Sequence, residues 1–117
     1  MEYFTATLGF GFKVVPEMFQ DWTHLTPKMI EDDFEDVLTE YAEHHPEVRW
    51  VDFGSARKSP DEIEYYLMAS ESIRYCDGLI PAPIDLPKQN YERVLRESIH
   101  KLNVKESPSW HLGLYEW

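Results

Sequence analysis

Among 117 residues the chain carries one cysteine, Cys76, so no internal disulfide can form. That fits a reducing compartment or indifference to redox state. Bases are scarce, with 11 Lys and Arg against 22 Asp and Glu, a net charge of −11. Such a surface works against nucleic acid and anionic membranes, because both are negative themselves. No apolar run approaches the ~18–20 residues that a membrane helix needs. The opening MEYFTATLGF lacks both a basic n-region and an uninterrupted apolar stretch, so it does not read as a signal peptide. The expected location is cytoplasmic. A P-loop, a dinucleotide fingerprint and a nucleophile motif are all absent. Cys76-Asp77-Gly78 reads as a turn leaving a strand, where a neighbouring carboxylate disfavours a thiolate.

What is present suits a packed core. Hydrophobic residues make up 43% and aromatic residues 15% of the chain, which is not a disordered composition. The length suits one domain over residues 1–117.

Tyr3–Val15 alternates. Phe4, Ala6, Leu8, Phe10, Phe12 and Val14 form one apolar row, and Thr5, Thr7, Gly9, Gly11 and Lys13 form the other. That is the pattern of a long half-buried strand, and Pro16 ends it. A short helical turn is expected within Pro16–Thr26. Thr26-Pro27 then opens a helix as N-cap and first residue. Ile30, Phe34, Val37, Leu38 and Tyr41 give it one apolar stripe, and Pro46 stops it near His44. Val48–Ala56 reads as a second strand, Arg57–Glu62 as a turn, and Ile63–Tyr75 as a third, long strand whose apolar row is interrupted by Glu71. Cys76–Leu86 is a loop. A second helix, capped by Asp85 or Leu86 with Pro87 in its first turn, runs to about Asn103. Ser109–Trp117 is the last strand.

The order β-α-β-β-α-β predicts an α+β fold: a four-stranded antiparallel or mixed sheet with two helices on one face, arranged as a ferredoxin-like plait. The two longest alternating stretches would be its central pair. An RNA-recognition role on this plait is disfavoured. The required face would carry Thr5, Thr7, Lys13, Tyr66, Met68, Ser70, Ser72 and Arg74, which offer one aromatic ring and two bases.

Charge is uneven. Glu17–Glu47 contains ten acids and one base, Lys28, while Lys88–Lys105 has five bases and two acids. Side by side, the two helices would be expected to pair some of these charges across their seam.

Candidate chemistry is sparse. His44 and His45 with Glu40 are the nearest approach to a metal set, but three or four converging ligands are needed, so no metal or cofactor is expected. Glu71 reads as a bulge or edge residue rather than a functional acid. Gly9 and Gly11 read as a place of close backbone approach.

The leading expectation is a non-enzymatic binding or inhibitor protein that engages a basic protein partner through Asp32, Asp33, Asp36, Glu40 and Glu43. Toxin-neutralising immunity proteins and small phage-encoded inhibitors share this size, acidity and lack of motifs, a likeness of type and not of residues. The alternative is a dimeric plait that acts as a small-ligand enzyme or sensor. Its pocket would lie over the open sheet face at Tyr66, Glu71 and His111. The first reading admits a monomer or a homodimer.

Overall fold

The computed structural model describes residues 4–53, 63–77 and 88–116. Among these, five strands form one antiparallel sheet and three α-helices join its core. The elements in order are β1 (Phe4–Val14), a 3₁₀ turn (Pro16–Phe19), α1 (Pro27–Asp32), α2 (Phe34–His44), β2 (Val48–Phe53), β3 (Glu64–Ala69), a second 3₁₀ turn (Ser70–Ser72), β4 (Arg74–Asp77), α3 (Lys88–Lys101) and β5 (Ser109–Glu116). The turn expected at Arg57–Glu62, most of the loop Cys76–Leu86 and the cap at Asp85 or Leu86 lie outside the described residues.

Strand β1 is central. One edge pairs with β5 from Phe4 to Gly11. The other pairs with β3 over Gly11–Val14 and with β4 over Thr5–Leu8, and β2 pairs with β3 on the outside. The apolar row predicted for β1 is buried at Ala6, Leu8, Phe10, Phe12 and Val14, and Gly9 and Gly11 of the other row are covered as well. Of the apolar row, Phe10, Phe12 and Val14 pack with Ile30, Phe34, Val37, Leu38 and Tyr41 from α1 and α2, and with Tyr91, Leu95 and Leu102 from α3 and the turn after it. Each fully buried aliphatic side chain in this set contributes about 1.5–3 kcal/mol before entropy costs. Phe19 is fully buried at the centre of an edge-on aromatic group with Phe34 (5.5 Å) and Tyr41 (5.7 Å), a favoured ring geometry.

Two elements differ from the sequence reading. The first helix is broken at Asp33, whose φ of −119° and ψ of 37° are not helical. Thr26 caps α1 by accepting the Met29 N–H at 3.3 Å, as expected. The ladder also continues through the break, since Asp33 N–H donates to the Met29 carbonyl and Val37 N–H to the Asp33 carbonyl, both at 3.1 Å. The break is therefore a kink. Its cause is local: aspartate favours caps over helix interiors, and Glu31, Asp32, Asp33, Glu35 and Asp36 repel one another at close spacing.

The third strand is also divided. Five residues, Ala69 to Ile73, face only Gly9 and Phe10 of β1. The surplus is folded into the Ser70–Ser72 turn, with Glu71 exposed on it. Buried Ser72 repairs the ladder, its Oγ accepting the Phe10 N–H at 2.9 Å and donating to the Ala69 carbonyl at 2.7 Å. Three extra residues are an odd number, so the side-chain alternation changes face across the turn. Leu67 and Ala69 lie under the helices, whereas Ile73 joins Val51, Tyr66 and Met68 on the opposite face. The single apolar row predicted for Ile63–Tyr75 therefore splits between two cores.

That opposite face is partly filled by the chain itself. Met68 lies over Gly9, and the Phe53 ring lies over Gly113. Gly11 abuts the backbone of β3, where a Cβ would run into the Leu67 carbonyl oxygen and lie 2.7 Å from the Met68 Cα. Close backbone approach is what the packing displays at Gly11, whereas at Gly9 and Gly113 a side chain fills the place of a Cβ.

Among the described residues the expected charge pairing between helices is not made. The ion pairs among them are Lys13–Glu64 and Lys101–Glu97, and neither joins α2 to α3. The seam is spanned instead by a buried hydrogen bond between Tyr41 Oη and Ser98 Oγ at 2.7 Å. The acids of α2 and the arginines of α3 (Arg93 and Arg96) are left exposed. No helix among the described residues is long and apolar enough to cross a membrane.

Candidate functional site: an acidic cleft at the helix kink

The kink at Asp33 brings the end of α1 and the start of α2 beside the end of β1 and the start of β3. Between them lies a cleft of about 850 Å³. Six acids line it: Glu31, Asp32, Asp33, Glu35, Asp36 and Glu64. Lys13 is the one base among its described lining residues, and its ammonium lies 3.4 Å from Glu64 Oε1. Carboxylates gathered on one concave wall reinforce one another's field and raise the local concentration of cationic groups.

Among the described residues one tyrosine, Tyr65, lines the cleft. Tyr65 donates its hydroxyl hydrogen to Glu35 Oε1 at 3.0 Å, with its ring edge-on to Phe34. Burial, and then this bond to Glu35, pushes the Tyr65 phenol up to about 12. On the next residue, Tyr66 donates to Glu64 Oε2 at 3.1 Å. Burial first and Glu64 second push its phenol to about 12 as well. Glu64 is thus shared by Tyr66 and Lys13. Glu35 is held further through the helix backbone: Trp50 Nε1–H donates to Thr39 Oγ1 at 3.1 Å, and Thr39 donates to the Glu35 carbonyl at 2.9 Å.

Of the five acids expected to form a partner-binding face, Asp32, Asp33 and Asp36 line the cleft. Glu40 and Glu43 are exposed farther along α2 and are not among its lining residues. Sequence reasoning missed Lys13, Glu31, Glu35, Glu64 and Tyr65 as parts of the same site. Glu31 and Glu35 had a visible signal in their run of acids. The others come from β1 and β3, and only sheet pairing brings those strands to the kink.

Two of the alternative pocket residues are brought together. The Tyr66 ring lies between Phe53 (4.6 Å) and His111 (4.7 Å). Glu71 sits apart on the exposed turn, its carbonyl accepting from Arg74 Nη1 at 2.8 Å. His44 and His45 each donate Nδ1–H to a backbone carbonyl, of Glu40 (2.9 Å) and Tyr41 (3.0 Å). His45 Nε2 then accepts from the Lys101 ammonium at 3.2 Å. Among the described residues no group of three or more His, Cys, Asp or Glu side chains is placed to hold a metal ion. Cys76 lies opposite Ala6 in the sheet, with its side chain outside what is described.

A second cleft, of about 530 Å³, adjoins the acidic one. Lys13 and Val15 belong to both, and Glu17, Met18, Asn103, Lys105 and Glu106 complete it. Comparison with known proteins gives no further constraint: no protein-family model, no curated protein and no solved structure matches this chain.

Proposed function

We propose that the chain is a non-enzymatic binding or inhibitor protein that engages a basic protein partner through the acidic cleft. The observation that carries this reading is the gathering of six acids from α1, the kink, α2 and β3 with one base, Lys13, among the described lining residues, itself drawn to one of the six. Among the described residues Glu31, Asp32, Asp33, Glu35 and Asp36 make no ion pair, so their field is kept for an incoming cation, which steers association and selects partners by charge. The packing of Met68 over Gly9 and of Phe53 over Gly113 supports the same choice. These side chains occupy ground that an open-face ligand pocket would need.

We further read the architecture as a ferredoxin-like plait whose third strand is interrupted at Ser70–Ser72. In support, β3 and β4 share one edge of β1, β5 takes the other, and every pairing is antiparallel.

The test is capture of the partner from the native cell, followed by association kinetics at several salt concentrations. The association rate should fall steeply with added salt. The double variant Asp33→Lys, Asp36→Lys should slow association by ten-fold or more, an order-of-magnitude expectation for reversed steering charges. Unchanged kinetics in that variant would remove the proposal.

A further inference from the structure

Strand β1 outruns its neighbour. Pairing with β5 ends at Gly11 opposite Ser109, yet β1 continues to Val14. On the uncovered stretch the Lys13 N–H has no strand partner on that edge, and the Glu106 carboxylate accepts it at 3.0 Å. Beyond it Val15 is 36% exposed, a large apolar side chain on the surface, and Met18 is half-buried against the core. These residues belong to the second cleft, which has charged and polar groups around it and meets the acidic cleft along Lys13 and Val15. An apolar centre with a charged rim is the anatomy of a protein-binding hot spot.

We infer that the Val15–Met18 groove seats an apolar side chain of an extended partner segment whose adjacent lysine or arginine side chains enter the acidic cleft. The inference rests on the basic-partner reading and adds the chemistry of the segment. Charge selects the occupant. A second copy of this chain carries −11 and is repelled from six carboxylates, whereas a cationic segment is drawn in. Continuity selects its form. In an extended segment neighbouring side chains point to opposite sides, so one strand of peptide can address two grooves that meet along the Lys13–Val15 backbone.

The experiment uses the full chain and two fluorescein-labelled peptides of equal charge, one alternating lysine with phenylalanine and the other alternating lysine with alanine. The phenylalanine peptide should bind roughly tenfold more tightly, the effect of burying part of an aromatic side chain. Val15→Thr, which keeps the shape but makes it polar, should weaken binding of the phenylalanine peptide far more than that of the alanine peptide and so shrink that preference. Met18→Gln, a second polar replacement in the groove, should reduce the preference independently. Equal affinities for the two peptides, or a preference undiminished in both variants, would overturn the inference and leave the basic-partner reading standing. Absence of salt-sensitive binding by either peptide would overturn both.

Discussion

The phenol of Tyr65 and the carboxylate of Glu35 are joined by a hydrogen bond of 3.0 Å, which ties β3 to α2 at the acidic cleft. The two residues are thirty positions apart, and each is ordinary for its own element. Together they hold one wall of the cleft against the sheet. The neighbouring Tyr66 repeats the arrangement with Glu64, so two phenols donate to two cleft carboxylates from consecutive positions of one strand.

This pair of phenols makes stability fall in alkali. Both are pushed from 10.0 to about 12, by burial first and by the carboxylate second. The folded chain thus holds these protons more tightly than the unfolded chain does. The contribution is complete below pH 10, the unfolded value, and is lost as pH rises towards 12. Urea denaturation across this range should show a decline that is shallower in the double variant Tyr65→Phe, Tyr66→Phe. Some slope should remain, because burial also raises the Tyr41 phenol. An identical decline in wild type and variant would contradict this account.

Ser72 replaces a missing strand partner, so its loss should be costly. Ser72→Ala leaves the Phe10 N–H without its acceptor inside the protein, and an unsatisfied buried group costs about 1–3 kcal/mol. The shift in the midpoint of chemical denaturation measures it. A loss within experimental error would show that another acceptor reaches Phe10.

Two glycines on one strand should respond differently to the same change. In Gly11→Ala the new methyl group meets the backbone of Leu67 and Met68, which cannot move aside without disturbing the β1–β3 ladder. Overpacking of this kind costs roughly 1–3 kcal/mol. In Gly9→Ala the new group meets the thioether end of the Met68 side chain, which is flexible enough to adopt another rotamer. Parallel denaturation curves should therefore place Gly11→Ala well below Gly9→Ala in stability. The reverse order would mean that the sheet yields at Gly11.

Residue chemistry read along the chain identified most of the elements. The alternating row of β1, the stripe from Ile30 to Tyr41, the Thr26 cap and the hairpin partners of β2 and β3 all follow from local patterns that depend on near neighbours. The same reading marked Asp32, Asp33 and Asp36 as a site because an acid run is visible in one dimension. It placed Glu40 and Glu43 with them, since helical periodicity shows a continuous acidic face and carries no mark of where the cleft ends.

Sequence by itself was sufficient for the α+β class, the central position of β1 and the negative charge of the first helical segment, because periodicity and net charge are sums over neighbouring residues. Folding in three dimensions settled the division of the third strand, the filling of the open face and the membership of the cleft. Each of these depends on a contact between distant positions: Ser72 with Phe10, Phe53 with Gly113, and Tyr65 with Glu35. Such contacts depend on strand register and on the odd count of residues in one turn. A shift of one residue in that count would leave composition and charge almost unchanged while turning the side chains beyond it to the other face.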